Sequence, residues 1–181
     1  MNLPNLISLG RLLSTPVNVW LMLIGEWRFA FALFVLAGLS DAVDGFIAKR
    51  YGMTTRLGSY LDPLADKAML MSVYVALGVR GELPSWLVIL VVSRDVLIVG
   101  GALLLLALSQ SLTIEPLWIS KLNTVMQIAL AAVALGGLAF ADALWRQAVG
   151  PLAVLVGATT VASGASYLIE WGRRVAEIGD A

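Results

Sequence analysis

Six apolar stretches, roughly 8–25, 29–50, 57–79, 85–108, 118–140 and 145–171, take up most of this chain of 181 residues. About 20 such residues cross the hydrocarbon core of a bilayer as a helix. Polar or turn-forming groups separate them: Gly25-Glu26-Trp27-Arg28, Tyr51-Gly52-Met53-Thr54-Thr55, Gly81-Glu82-Leu83-Pro84, Ser109-Gln110-Ser111 and Ala141-Asp142. Helices satisfy their own backbone hydrogen bonds in lipid, so the pattern predicts an all-α integral membrane protein, a bundle of six transmembrane helices forming one domain over 1–181. Charged residues make up 13% of the chain, against about a quarter in a soluble domain. No internal repeat or low-complexity tract interrupts the pattern.

The remaining composition narrows the chemistry. Cysteine and histidine are both absent, which removes disulfides, thiol nucleophiles and thiolate metal sites and leaves carboxylate, lysine or water as a general base. Net charge is zero, so no global basic field is present for nucleic acid. The opening MNLPNLISLGRLL lacks a basic stretch ahead of its apolar run and a small-residue cleavage site. It reads as a short interfacial helix leading into the first span, punctuated by Asn2, Pro4 and Asn5, rather than as a signal or transit peptide.

Basic residues set the expected orientation. With the N-terminus inside, the cytosolic side collects Arg11, Lys49, Arg50, Arg56, Lys121, Arg173 and Arg174, and the other side Arg28, Arg80 and Arg146. Both termini are therefore placed in the cytosol. Trp27, Trp86, Trp145 and Trp171 lie near span ends, as interfacial or as ordinary packing residues.

Against this apolar background stand Asp41, Asp44, Asp62 and Asp66, in the string DAVDGFIAKRYGMTTRLGSYLDPLAD. A carboxylate in or near a bilayer is expensive unless paired or solvated. On helices Asp41 and Asp44 share a face, as do Asp62 and Asp66. A short loop between their spans lets all four converge on one cytosol-facing pocket. That arrangement suits one or two hard divalent cations holding a phosphate group. Gly45 and Gly58 permit close approach of a nucleotide or its phosphates, and Ala48 leaves room beside Asp44. Lys49, Arg50 and Arg56 supply cations for an anionic ligand. The plainer alternative is a set of salt bridges to Lys49, Arg50, Arg56 and Lys67 within the bundle.

The string resembles the signature of the CDP-alcohol phosphotransferases, D-x-x-D-G-x-x-A-R-x8-G-x-x-x-D-x-x-x-D, at every fixed position except Lys49, where the family usually has arginine. The substitution keeps the charge but loses a planar bidentate fork. NLPNLISLGRL, VLAGLSDAVDGFIAKR, LGSYLDPLADK, VSRDVLI, WISKLNT and TTVASGASY extend the likeness, which is greatest to the eukaryotic-type, CMP-forming cardiolipin synthases. The resemblance implies a homodimer that uses two Mg2+ or Mn2+ ions per active site to transfer the phosphatidyl group of CDP-diacylglycerol to phosphatidylglycerol. It implies metal ligation by all four aspartates, with Asp66 also the base. It places the CDP-lipid against Asp41, Asp44, Gly45, Ala48, Lys49 and Gly58. Phosphatidylglycerophosphate synthase, with glycerol 3-phosphate as acceptor, shares the signature.

Outside the signature, Arg94 lies too deep in its span for a casual surface residue. It either holds an acceptor phosphate or neutralises an excess of carboxylate. Asp95 follows it directly, so the two point differently on a helix and are not self-evidently a pair. Lys121 is an acceptor-phosphate candidate or a snorkelling lysine; Ser120, Arg56, Asn123 and Thr124 are its possible helpers. Gly100-Gly101 and Gly157…Gly164 permit close helix packing or dimerisation. An ion or proton transporter also uses buried acids, but it predicts midplane acids and two related halves; here the acids gather toward one side and no halves repeat. A bacterial cytoplasmic membrane is the expected location, with the active site on the cytosolic side.

Overall fold

The computed structural model describes residues 3–51, 58–107 and 118–179, and among these the side chains other than those of 3–6, 42, 44–51, 58–64, 102–107 and 172–179. The described residues form six helices and no strand: α1 (Leu3–Leu23), α2 (Trp27–Tyr51), α3 (Gly58–Val79), α4 (Ser85–Ala107), α5 (Trp118–Phe140) and α6 (Ala143–Gly179). Within the described residues each expected stretch corresponds to one helix. Two differences have physical causes. The N-terminal segment is no separate interfacial helix but part of α1, because Pro4 falls in the first turn, where its missing N–H costs nothing. Helix α6 runs past 171 to Gly179, since polar helix formers continue the backbone where the apolar run has ended.

Three of the expected breaks are helix stops of one kind. Gly25 and Gly81 adopt φ of 83° and 74°. The following N–H groups, of Glu26 and Glu82, reach back to the carbonyls of Leu21 and Leu77, each at 2.9 Å. This is the Schellman closure, which favours glycine at the left-handed residue. After α5 the same role falls to Ala141, with φ 54°. Asp142 then starts α6, its Oδ1 accepting from the N–H of Leu144 at 2.8 Å and of Trp145 at 3.2 Å, as an N-cap does. The breaks within 52–57 and 108–117 lie outside the described residues.

The helices group into two compact units: Met1–Leu83 with Ala131–Val149, and Pro84–Leu130 with Gly150–Ala181. In the first unit α1 packs against both α2 and α3. Phe31, Phe140 and Trp145 make edge-to-face contacts with ring centroids 5.5–6.5 Å apart, tying α2 to the end of α5 and the start of α6. Arg28 donates to the carbonyl of Ala139 at 3.2 Å. Arg80 lies 5.4 Å from the Trp27 ring centroid and donates to the carbonyl of Leu23 at 3.5 Å. Both arginines thus sit at helix C-termini, where a cation meets the negative end of the dipole.

The buried residues are mostly apolar, among them Tyr74, Leu77, Leu87, Leu130 and Leu135, with polar stripes on α1, α5 and α6. Ser8, Arg11, Thr15, Asn18 and Met22 form the buried stripe of α1 at alternating spacings of three and four, while Leu13, Val17, Trp20, Leu23 and Ile24 face outward. In the second unit Thr160, Ser163 and Tyr167 on α6 and Asn123 and Gln127 on α5 are buried, whereas Trp118, Val125, Val154 and Val161 are exposed. A polar stripe turned inward and apolar side chains turned outward is the arrangement for a lipid surround. Among the described residues two helical segments, Trp118–Phe140 and Ala143–Trp171, are long and apolar enough to cross a membrane. Helices α2 and α3 carry the four aspartates with Lys49, Arg50 and Lys67, which lower their hydropathy. The length and apolar composition of Trp118–Phe140 and Ala143–Trp171 fit association with a membrane.

Candidate functional site

The first polar centre is assembled by α1, α2 and α3. Arg11 projects from the buried stripe of α1, its side chain only 3% exposed. A guanidinium that deep is costly unless paired. Its Nη1 donates to Oδ1 of both Asp41 on α2 and Asp66 on α3. The two acids are partly open, with side chains 40% and 45% exposed. Ser14 and Thr15 turn their hydroxyls back to the Arg11 carbonyl, at 2.7 and 3.2 Å, so these hydroxyls are satisfied within the helix. One aspartate from each half of the sequence pattern thus meets the other at a single positive charge.

Asp44, Gly45, Ala48 and Lys49 lie within α2, and Gly58 and Asp62 within α3; their side chains, like that of Arg50, fall outside the described set, and Arg56 lies outside the described residues. Where the charge is visible, the donor set is one of hard carboxylate oxygens. Mg2+ and Mn2+ favour such oxygens; Asp41 and Asp66 supply them, and among the described residues no group of three or more acids converges as a metal site.

Sequence reasoning missed Arg11 as a site residue, counting it only among the cytosolic cations. No signal in the sequence set it apart, since it falls near the start of the expected span 8–25. The salt-bridge alternative had named Lys49, Arg50, Arg56 and Lys67 as partners; among the described residues Arg11 of α1 pairs with both Asp41 and Asp66, while the side chains of Lys49 and Arg50, and Arg56 altogether, lie outside the described set.

The second polar centre lies in the other unit. Arg94 on α4 is 4% exposed, and its Nη1 donates to Oδ1 of Asp95 at 2.6 Å; Asp95 is itself 2% exposed. The structure pairs these neighbours, a point their adjacency in sequence leaves undecided. Adjacent Cβ atoms diverge on a helix, but the long guanidinium curls back, because neither charge has water to turn to. Nη2 donates to Ser120 Oγ on α5 at 2.6 Å and to Ser163 Oγ on α6 at 2.5 Å, and the guanidinium carbon lies 5.9 Å from the Tyr167 ring centroid. Of the residues expected near an acceptor phosphate, the structure brings Arg94 and Ser120 together and leaves Lys121 exposed. One turn along α5, buried Asn123 accepts at Oδ1 from Thr159 and Thr160, at 2.8 and 2.9 Å. Thr124 instead donates to its own helix, to the Ser120 carbonyl at 3.1 Å. Ser163, Thr159 and Thr160 fall in the TTVASGASY stretch, yet nothing in their order pointed to Arg94 or Asn123. Of the small-residue positions, Gly101 and Gly157 serve close packing within the unit: a Cβ would run into the Trp171 ring at the first and lie 2.8 Å from the Trp86 ring at the second.

With these two centres in place, comparison with known proteins is decisive. Residues 1–161 match the CDP-alcohol phosphatidyltransferase family. The chain belongs to that family. Among similar phosphatidyltransferases, a chloroplastic CDP-diacylglycerol–glycerol-3-phosphate 3-phosphatidyltransferase 1 of Oryza sativa subsp. japonica is 40% identical over 94% of this chain and 57% of its own length. The CMP-forming cardiolipin synthase of Rattus norvegicus is 33% identical over 97% of this chain and 63% of its own. A probable phosphatidylglycerophosphate synthase of Mycobacterium tuberculosis is 35% identical over 75% of this chain and 64% of its own. The chain thus spans less than two thirds of the length of these relatives.

Proposed function

We propose that this chain transfers the phosphatidyl group of CDP-diacylglycerol to a hydroxyl of phosphatidylglycerol, forming cardiolipin and releasing CMP. The observation that carries the reading is the meeting of Asp41 and Asp66, one from each half of the aspartate pattern, at one positive charge. Asp41, Asp44, Asp62 and Asp66 would hold two divalent ions, Mg2+ or Mn2+, whose charge offsets that developing on the transferring phosphoryl group. Asp66, open enough to reach substrate, takes the proton from the acceptor hydroxyl as that oxygen attacks the β-phosphorus in line. The small residues Gly45, Ala48 and Gly58 leave space along α2 and α3 for the cytidine diphosphate, with Lys49 beside it. Arg94, Ser120, Lys121 and Arg56 are the candidates for the acceptor's phosphate. The chain would work as one domain, a six-span homodimer in a bacterial cytoplasmic membrane with both termini and the active site on the cytosolic side.

A second reading is supported by the relatives named for phosphatidylglycerophosphate synthesis: the same donor and site with glycerol 3-phosphate as acceptor. The test is an acceptor competition with purified protein, CDP-diacylglycerol and Mg2+, following CMP release and lipid product. Cardiolipin formed only with phosphatidylglycerol is the expected result. Product formed only with glycerol 3-phosphate replaces the acceptor assignment, and turnover with neither overturns both.

A further inference from the structure

We propose that Arg11 is a built-in counter-ion that opposes divalent metal at the aspartate site and so sets how tightly the metal is held. The inference rests on the metal-binding reading above. Arg11 comes from α1, outside the aspartate pattern, and is anchored in that helix's buried stripe. Its Nη1 engages one oxygen from each of Asp41 and Asp66. A carboxylate has about four lone-pair sites on two oxygens, so each acid can serve the guanidinium and a metal together. A divalent ion drawn to these acids meets one of two obstacles. It displaces the guanidinium from the same oxygens, or it binds beside a fixed positive charge. Both weaken metal binding, and both hold the acids together without metal. The arginine is a positioning residue in this scheme, since it acts through Asp41 and Asp66.

The direction of the effect separates this role from a merely structural one. Loss of a scaffold loosens a metal site, whereas loss of a competing charge tightens it. Binding of Mn2+ alone to the detergent-solubilised full chain, read as loss of the free-ion signal in electron paramagnetic resonance, measures that direction without turnover. In Arg11→Met the half-saturating Mn2+ concentration is expected to fall about three- to tenfold, the modest range set by ion pairs whose acids are partly solvent-screened. The variant is also expected to melt lower than the parent without metal and to gain more from Mn2+. Arg11→Gln, which keeps neutral donors, serves should the methionine variant not fold, with the same expected shift. Arg11→Lys retains the charge and is expected to bind as the parent does. Parent binding with an unchanged or weakened Arg11→Met or Arg11→Gln overturns the counter-ion role and leaves the metal reading standing. No Mn2+ binding by the parent overturns both.

Discussion

Replacement of Asp95 by asparagine tests the second polar centre most directly. The change preserves side-chain shape and an acceptor oxygen but removes the charge facing Arg94 across 2.6 Å. Both side chains are almost fully buried, so solvent screening takes little from the interaction. Unit charges about 4 Å apart attract by about 4 kcal/mol at an effective dielectric near 20. Ser120, Ser163 and the Tyr167 ring stay beside the guanidinium in both forms and cancel in the difference, while the asparagine oxygen still accepts from Nη1 and offsets about 1 kcal/mol of the loss. Asp95→Asn is therefore expected to destabilise the protein by about 3 kcal/mol, at the low end for breaking one partner of a buried pair. The double variant Arg94→Met with Asp95→Asn removes both charges and should recover most of that loss, finishing within about 1 kcal/mol of the parent. Equilibrium unfolding in mixed micelles, titrated with a denaturing detergent, supplies the four corners of the cycle. A cost below about 1 kcal/mol for the single change, or a double variant no better than Asp95→Asn, would refute the reasoning that an uncompensated buried charge is what hurts.

Three other changes have expected outcomes. Asp66→Asn should lower CMP release at least about a hundredfold, the low end of what a general base contributes, while CDP-lipid binding persists; substantial turnover would make the base assignment wrong. Ala141→Gly relieves a left-handed alanine and is expected to raise the unfolding free energy by about 1 kcal/mol, whereas a neutral or lower value would mean that the turn carries no such strain. Asp142→Ala removes the acceptor for Leu144 and Trp145 and should cost about 1 kcal/mol; an unaltered unfolding midpoint would show that the cap contributes nothing.

Much of the fold was legible because hydropathy, helix length and glycine stops act locally. The glycines at 25 and 81 mark turns that only a left-handed residue closes. Ala141 escaped notice because alanine gives no hint of positive φ; its place was inferred from the polar Asp142 beside it. The apolar span expected to end at 171 matches the segment Ala143–Trp171, while α6 itself continues to Gly179, because apolar content measures contact with lipid and backbone hydrogen bonding continues beyond it. Asp41 and Asp66 were legible because a charge in an apolar run demands a reason. Their partner was not, since Arg11 looked like any cation near a membrane surface.

The order of residues by itself determined where helices run, that their surroundings are apolar, and that four acids on two consecutive helices are the feature requiring a chemical explanation. Those properties depend on neighbours within a few turns. Only the tertiary structure decided which face of each helix turns inward and which cation answers which acid. Arg11 finds carboxylates 30 and 55 residues away, and Arg94 finds hydroxyls 26 and 69 residues away. No period in the chain encodes such distances. They follow from the cost of desolvating a charge, which each buried guanidinium can offset only with the polar groups that packing brings within reach.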